Sequence, residues 1–218
     1  TSQVTNMKGM FYDAINFNGD ISNWDTSQVT DMDSIFYQAK NFNQKIFSSW
    51  NISQVTDMSY MFHEATNFNN GGEHFVMFYN LVYRVQNIDH MFNSCINLDV
   101  EIHLSLDNLV SARYVFSDCS KLNKNIFIIN AKKLDNLEGF LFGAKNFNSD
   151  IDITHTSNLK NISSMLTGTK YNRSDLQKWD VRNIVFNSHS NLEFILPENY
   201  TYDLSIWVKA NPKLENGL

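Results

Sequence analysis

The sequence predicts an α/β solenoid built from repeats of about 25 residues, each with one short helix and one short strand. Three near-copies open the chain, namely TSQVTNMKGMFYDAINFNGDISNWD, TSQVTDMDSIFYQAKNFNQKIFSSWN and ISQVTDMSYMFHEATNFNN. In each copy the apolar residues first follow helical spacing and then an extended pattern. Because one such unit cannot bury its apolar face alone, we expect the copies to stack with their strands in one parallel sheet.

Seven full copies and the start of an eighth cover residues 1–185. Positions 4, 7, 10, 11, 14 and 17 of each copy hold mostly apolar or small residues, which we expect to form the core. Position 11 is the clearest, with phenylalanine at Phe11, Phe36, Phe62, Phe92 and Phe116. The copies begin at Thr1, Thr26, Ile52, Val82, Leu106, Ala131, Thr156 and Val181.

Each copy divides into two predicted elements. The segment V-T-x-M-x-x-M-F-x-x-A predicts the helix, with Thr5, Thr30 and Thr56 as N-caps. The segment F-N-x-x-I predicts the strand, over residues 17–21, 42–46 and 147–151. Asparagine recurs at position 18, and we expect a buried ladder of these side chains to bond the backbone of neighbouring copies. The ladder contains Asn18, Asn43, Asn69, Asn123 and Asn148.

Composition limits the partners of this chain. It has 23 acidic and 17 basic residues, a formal charge of −6 and no run of four Lys or Arg, so we expect no nucleic acid as partner. No stretch approaches the roughly 18 continuous apolar residues of a membrane span, so we expect no membrane insertion. The chain begins at Thr1, the first position of a repeat, which we interpret as the start of a fragment.

The pattern W-[DN]-x-S-x-V-T-x-M-x-x-M-F-x-x-A-x-x-F-N-x-x-I resembles the BspA-like leucine-rich-repeat surface proteins. More narrowly, it is similar to the branch abundant in mycoplasmas. The segments MFNSCINL and VFSDCSKL of the fourth and fifth copies are similar to the wider BspA consensus. This resemblance implies a leucine-rich-repeat solenoid in a bacterial protein that is secreted or held at the cell surface, often as a lipoprotein. It also implies a role in adhesion or host interaction.

Two segments depart from the repeat. The third copy is longer, and its excess falls in residues 69–80, where Gly71 and Gly72 mark a loop. This loop is either a tolerated surface insertion or a binding loop that presents His74 and Phe75. Residues 186–218 lack the M-F-x-x-A pattern and are predicted to form a C-terminal cap or to begin a following segment.

Residues for catalysis or for binding a cofactor are not evident. The chain has no G-x-S-x-G, phosphate-binding or dinucleotide-binding motif, so we expect neither an enzyme nor a cofactor. The six histidines show no metal-ligand spacing, and we expect no metal site. Cys95 and Cys119 share one repeat position, where they are either buried thiols or a disulfide. Acidic residues near the strands are interpreted as solvated charge and not as calcium ligands, namely Asp20, Glu101, Asp150 and Asp152.

We expect a ligand to bind the sheet face, because a curved stack presents positions 20 and 22 there. Phe47, His103 and Phe127 occupy position 22 and, with His74 and Phe75 of the loop, are the candidate binding residues. The leading hypothesis is a monomeric, non-enzymatic interaction module that binds a protein or glycan on a host or neighbouring cell. The alternatives are a structural spacer for a domain outside this fragment and an accessory segment of an enzyme or toxin.

Overall fold

The computed structural model describes residues 1–77, 84–185 and 195–213, so the predicted start of the fourth copy at Val82 lies outside the described residues. Four strands form one parallel sheet in the order β1-β2-β3-β4, which is also their order in the chain. Their bounds are Phe75–Met77, Ile102–Ser105, Ile126–Ile129 and Ile151–Ile153. The described helical segments are few, namely 3₁₀ turns at Asn70–Gly72 and Asp175–Lys178 and the helix α1 at Ser205–Ala210. None of the described helices has the length and apolar character that crossing a membrane requires.

A second line of parallel contacts joins the repeats at position 6. Each residue there forms a parallel β-bridge with its equivalent in the next repeat, so the repeats lie side by side in chain order. The line runs through Asn6, Asp31, Asp57, Asn87, Ser111, Asn136 and Asn161.

The predicted helix in each repeat is wrong, because positions 7 to 14 form consecutive turns. In the first repeat, the N–H groups of Met10 and Tyr12 donate to carbonyl groups three residues back, at 3.1 and 3.0 Å. The N–H groups of Met7, Gly9 and Phe11 donate instead to the second repeat, at 3.0, 3.0 and 2.8 Å. An α-helix keeps these bonds within one segment, whereas here they alternate between two repeats.

Left-handed backbone at positions 9 and 13 prevents the helix. Gly9 has a φ of 61° and Asp13 a φ of 55°, and the equivalent residues of the later described repeats are also left-handed. A right-handed helix cannot continue through such residues. The apolar spacing fits both a helix and a series of turns, so periodicity did not distinguish them.

The threonines predicted as N-caps form a ladder between repeats instead. Thr30 donates its N–H and its Oγ1–H to the carbonyl of Thr5, at 2.8 and 3.2 Å. Thr56 makes the same two bonds to Thr30, at 3.0 and 3.3 Å. The repeated threonine therefore joins neighbouring repeats and begins no helix.

The strands lie later in the repeat than predicted, and the first two repeats have none. The chain turns after Ile21 and Ile46, and a tryptophan follows each turn. Trp50 is buried, and its Nε1–H donates to the carbonyl of Ile21 at 3.0 Å. The third to sixth repeats have no tryptophan here and continue as β1 to β4. Phenylalanine and valine in β1 and isoleucine in β2 to β4 favour strands.

The predicted loop at residues 69–80 contains part of the sheet. Gly71 and Gly72 adopt left-handed φ values of 62° and 86°, and the chain then enters β1, which pairs with β2. The longer third repeat thus supplies a strand and a turn before it. Residues 78–80 of the predicted loop lie outside the described residues.

The asparagine ladder is confirmed, but it lies at the surface. Asn18 Oδ1 accepts the N–H of Asn43 at 2.9 Å, and Asn43 Oδ1 accepts the N–H of Asn69 at 2.8 Å. Asp99 takes this role in the fourth repeat, and the ladder continues through Asn123, Asn148 and Asn172. Asn18 is exposed and Asn43 is only half-buried, so the predicted burial is wrong.

A column of phenylalanine rings fills the core at position 11, as the sequence predicts. From Phe11 to Phe116, consecutive rings stack at centroid distances of 5.4, 5.4, 5.5 and 5.5 Å. Cys95 and Cys119 are buried free thiols beside this column. Their Sγ atoms lie 3.0 Å from the carbonyl oxygens of Phe62 and Phe92. Burial raises the pKa of both thiols, which makes them core groups of low reactivity.

The repeat contacts continue beyond residue 186, where the sequence predicted that they end. The segment YTYDLSIW at residues 200–207 is similar to FNGDISNW at residues 17–24. Trp207 Nε1–H donates to the carbonyl of Leu176 at 2.9 Å, which is the bond that Trp50 makes to Ile21. Thr201 N–H extends the asparagine ladder through a 3.0 Å bond to Asn172 Oδ1.

Candidate ligand-binding face

One face of the sheet points its side chains away from the core. The strand register aligns Val76, His103, Phe127 and Asp152 in one row, and the residues on either side of them in each strand are buried. Side chains alternate between the two faces of a strand, so the residues two positions earlier form a second outward row. That row contains His74, Glu101, Asn125 and Asp150.

Two histidines and a carboxylate meet where β1 borders β2. The Nε2 atom of His103 lies 2.6 Å from Glu101 Oε1, and the Nδ1 atom of His74 lies 3.8 Å from Glu101 Oε2. The imidazole ring of His103 stacks on Phe127 with a centroid distance of 4.6 Å and an interplanar angle of 21°. Among the described residues, this is the one group of three or more His, Cys, Asp or Glu side chains close enough to share an ion. Of the four carboxylates considered for calcium, Glu101 belongs to this group and Asp20, Asp150 and Asp152 do not.

A concave pocket of about 450 Å³ adjoins β3 and β4. Phe127, Trp179 and Tyr202 contribute its aromatic side chains. Arg173 Nε donates to Asp150 Oδ1 at 2.9 Å, and this hydrogen bond raises the pKa of the guanidinium. The other charged residues that line the pocket are Asp152, Asp175 and Lys178.

A second pocket, of about 330 Å³, lies beside β1, at the opposite edge of the sheet from β4. Phe47 and Val76 form its apolar part, and His74 lines it as well. Lys45 forms an ion pair with Glu73 at the same pocket. The two pockets therefore flank the pair of histidines along the outward face.

The structure brings four of the five predicted binding residues to this face. His74, His103 and Phe127 lie on the outward rows, and Phe47 borders the second pocket while packing edge to face against Phe75 at 4.7 Å. Phe75 itself is fully buried in β1. A ring without exposed surface cannot contact a ligand, so Phe75 belongs to the core and not to a binding loop.

The chain also matches a protein-family model over most of its length. The family model described as "Mycoplasma protein of unknown function, DUF285" matches residues 1–105 and 86–207. The chain belongs to this family. The second DUF285 match extends to Trp207 and so includes the described C-terminal segment up to that residue. No curated protein and no solved structure matches the chain.

Sequence reasoning missed an aromatic row on the turns, which is two rings wide because it combines repeat positions 12 and 9. Tyr12, Tyr37 and His63 occupy position 12 of successive repeats and stack at centroid distances of 4.6 Å each. Tyr60, His90 and Tyr114 occupy position 9 and stack at 4.6 and 5.1 Å. The sequence does show aromatic residues at equal repeat positions. A helix at these positions would not have predicted that their rings stack between repeats.

We expect the two histidines of this row to make stability depend on pH. Burial is the main cause that lowers the pKa of His63 and of His90 below the ordinary value of about 6.5. The nearby carboxylates of Glu64 and Asp89 oppose this only in part. As the pH falls below about 6.5, the unfolded chain takes up protons that the folded chain resists, so the free energy of unfolding should decrease.

Urea denaturation at a series of pH values between about 7.5 and 5 measures this effect across the histidine range. Replacing both residues (His63→Gln with His90→Gln) should reduce the loss of stability, whereas His155→Gln, outside the row, should retain it. An unchanged pH dependence in the double variant would contradict the assignment to these histidines.

Proposed function

We propose that this chain is a leucine-rich-repeat-type solenoid of the BspA-like kind and acts as a non-enzymatic binding module at a bacterial cell surface. The parallel bridges that join position 6 from Asn6 to Asn161 and the continuous phenylalanine column support the solenoid. The membership in a mycoplasma repeat family supports the BspA-like branch. The proposed ligand is a protein or glycan on a host or neighbouring cell.

The observation that carries this proposal is the contrast between the two faces of the sheet. The inward positions of β1 to β4 are filled almost entirely by large apolar side chains. The aligned outward row contains a different residue type in each strand: Val76, His103, Phe127 and Asp152. Core packing explains the uniform inward positions, whereas the variety of the outward row provides the chemistry for recognising one ligand.

The pocket beside β4 favours a glycan over a flat protein surface. It is concave, and Phe127 and Tyr202 offer aromatic faces on which the apolar face of a sugar ring can pack. Asp150, Asp152 and Arg173 offer acceptors and donors for sugar hydroxyl groups. Small-ligand sites combine apolar walls with a few placed polar groups in this way.

A glycan array combined with a panel of extracellular-matrix proteins tests the proposal. We expect binding to one ligand class, and Phe127→Ser should weaken it by about tenfold or more, because a central aromatic dominates such contacts. Phe127 packs on His103 outside the core, so its loss should leave the fold intact.

Ile96→Ser is the matched control, since Ile96 is an exposed apolar residue on the turns of the fourth repeat. It should bind like the unchanged protein. Equal affinities of all three proteins would reject the sheet face as the site. The absence of any ligand on both panels would favour the structural spacer.

A further inference from the structure

We propose that His74, Glu101 and His103 bind a divalent metal ion of the zinc class. His103 lies in β2, Glu101 directly precedes that strand, and His74 directly precedes β1, so the pairing of the two strands brings the three residues together. Each residue offers one ligand atom, and the three atoms lie within 4.8 Å of one another. The inference is independent of the proposed ligand, because it rests on these three side chains and the contacts that hold them.

The ligand set determines the class of ion. Two imidazole nitrogens and one carboxylate oxygen match the set that zinc uses in sites with an open position. Calcium takes six to eight oxygen ligands, and magnesium takes an octahedron of oxygen ligands that include water. Two imidazoles and one carboxylate supply neither arrangement. First-row ions such as Zn²⁺, Ni²⁺ and Cu²⁺ bind imidazole well, so we expect them to be favoured over Ca²⁺ and Mg²⁺.

The three ligand atoms lie within 4.8 Å of one another, so side-chain rotation has to bring them to the spacing of a metal site. Metal–ligand bonds of about 2.0–2.1 Å in a tetrahedral site separate the ligand atoms by roughly 3.3 Å. The distance from Glu101 Oε2 to His74 Nδ1 is 3.8 Å, so this pair must close slightly. The distance from Glu101 Oε1 to His103 Nε2 is 2.6 Å, a hydrogen-bond length that must open when an ion binds between the two atoms. The side chain of His74 is 69% exposed and can rotate to complete the site.

Two of the three ligands are already held in place. The N–H of Phe75 donates to the carbonyl of Glu101 at 2.8 Å, which ties the segment carrying His74 to that carrying Glu101. The stacking of Phe127 on His103 holds that imidazole over β3. Contacts behind the ligands that fix their orientation are a regular feature of metal sites.

The local charges favour a cation. Glu101 faces His74 and His103 at 3.8 and 2.6 Å, and a metal binds both imidazoles in their neutral form. The nearest Lys of the second pocket, Lys45, is paired with Glu73. Three protein ligands leave one tetrahedral position, which we assign to water because the site opens to the surface.

Calorimetric titration of the chelator-treated protein with Zn²⁺ tests the site directly. We expect one equivalent to bind, and His74→Ala and Glu101→Gln should each weaken the affinity by about tenfold or more, since even contacts behind the ligands are worth 10–100-fold. His155→Ala is the matched control and should bind like the unchanged protein. Ca²⁺ and Mg²⁺ should give no comparable heat.

Co²⁺ provides a second measurement that does not depend on binding heats. Cobalt in a four-coordinate site absorbs visible light strongly, and this absorption should appear in the unchanged protein and disappear in His74→Ala. Circular dichroism verifies that each variant is folded. The proposal is overturned if the unchanged protein binds less than one equivalent of Zn²⁺, or if His74→Ala and Glu101→Gln bind it as tightly as His155→Ala.

Discussion

Replacing Phe92 with alanine should lower the free energy of unfolding by about 3–5 kcal/mol, the range for removing a buried aromatic side chain. Phe92 is fully buried and lies inside the phenylalanine column, with a ring on either side. Its ring stacks between Phe62 and Phe116 at 5.5 Å on each side and meets Phe75 edge to face at 5.0 Å. The change removes these contacts and leaves a cavity that neighbouring repeats, bonded along the backbone on both sides, cannot close.

Urea denaturation followed by circular dichroism measures this loss. Phe142→Ala is the matched control, because Phe142 is 39% exposed on the turns of the sixth repeat and lies outside the column. It should change the stability by no more than about 1 kcal/mol. A loss of similar size in both variants would contradict the central position of the phenylalanine column in the core.

Replacing Trp207 with alanine is the second change with a large expected effect, also about 3–5 kcal/mol. Trp207 is 1% exposed, and its Nε1–H bonds the carbonyl of the buried residue Leu176. After the change, that carbonyl loses the indole donor and keeps only the N–H of Trp179, and the core of the last repeat is opened to water. Asn211 directly follows α1 and donates hydrogen bonds to the carbonyls of Val181 and Ile184. We expect these bonds to be lost when α1 detaches.

Hydrogen exchange distinguishes this effect from general unfolding. Protection should decrease first in the seventh repeat, near Leu176, and last in the early repeats, because each repeat contacts only its neighbours. Ile206→Ala is the control, since Ile206 is 54% exposed on the same helix. Equal losses in the two variants would show that residues 195–213 do not act as the predicted cap.

The repeat spacing was enough to predict the core. Residues at positions 4, 7, 11 and 14 are buried in the described later repeats, and the phenylalanines of position 11 stack as expected. Equal positions in stacked copies become neighbours whatever path the chain takes between them. A prediction of this kind therefore survives an error in secondary structure.

The predicted helix failed because apolar spacing records which side chains point inward and does not record where the N–H groups bond. The residues at position 9 illustrate this, since Tyr60 and His90 adopt left-handed φ values of 54° and 57° that bulky residues rarely take. A strain of about 1–2 kcal/mol for each is partly offset by ring stacking between repeats, worth about 0.5–1.5 kcal/mol per pair. That compensation exists only in the stack.

The sequence by itself determined the repeat, its core positions and four of the residues on the outward face, including His74, His103 and Phe127. Only the tertiary structure decided that His74 and His103, which lie far apart in the chain, meet at Glu101. It also placed Phe75 in the core and Trp207 in a further repeat-like contact. The physical reason is that the insertion in the third repeat shifts the local numbering, so that residues with unequal repeat positions become neighbours once β1 pairs with β2.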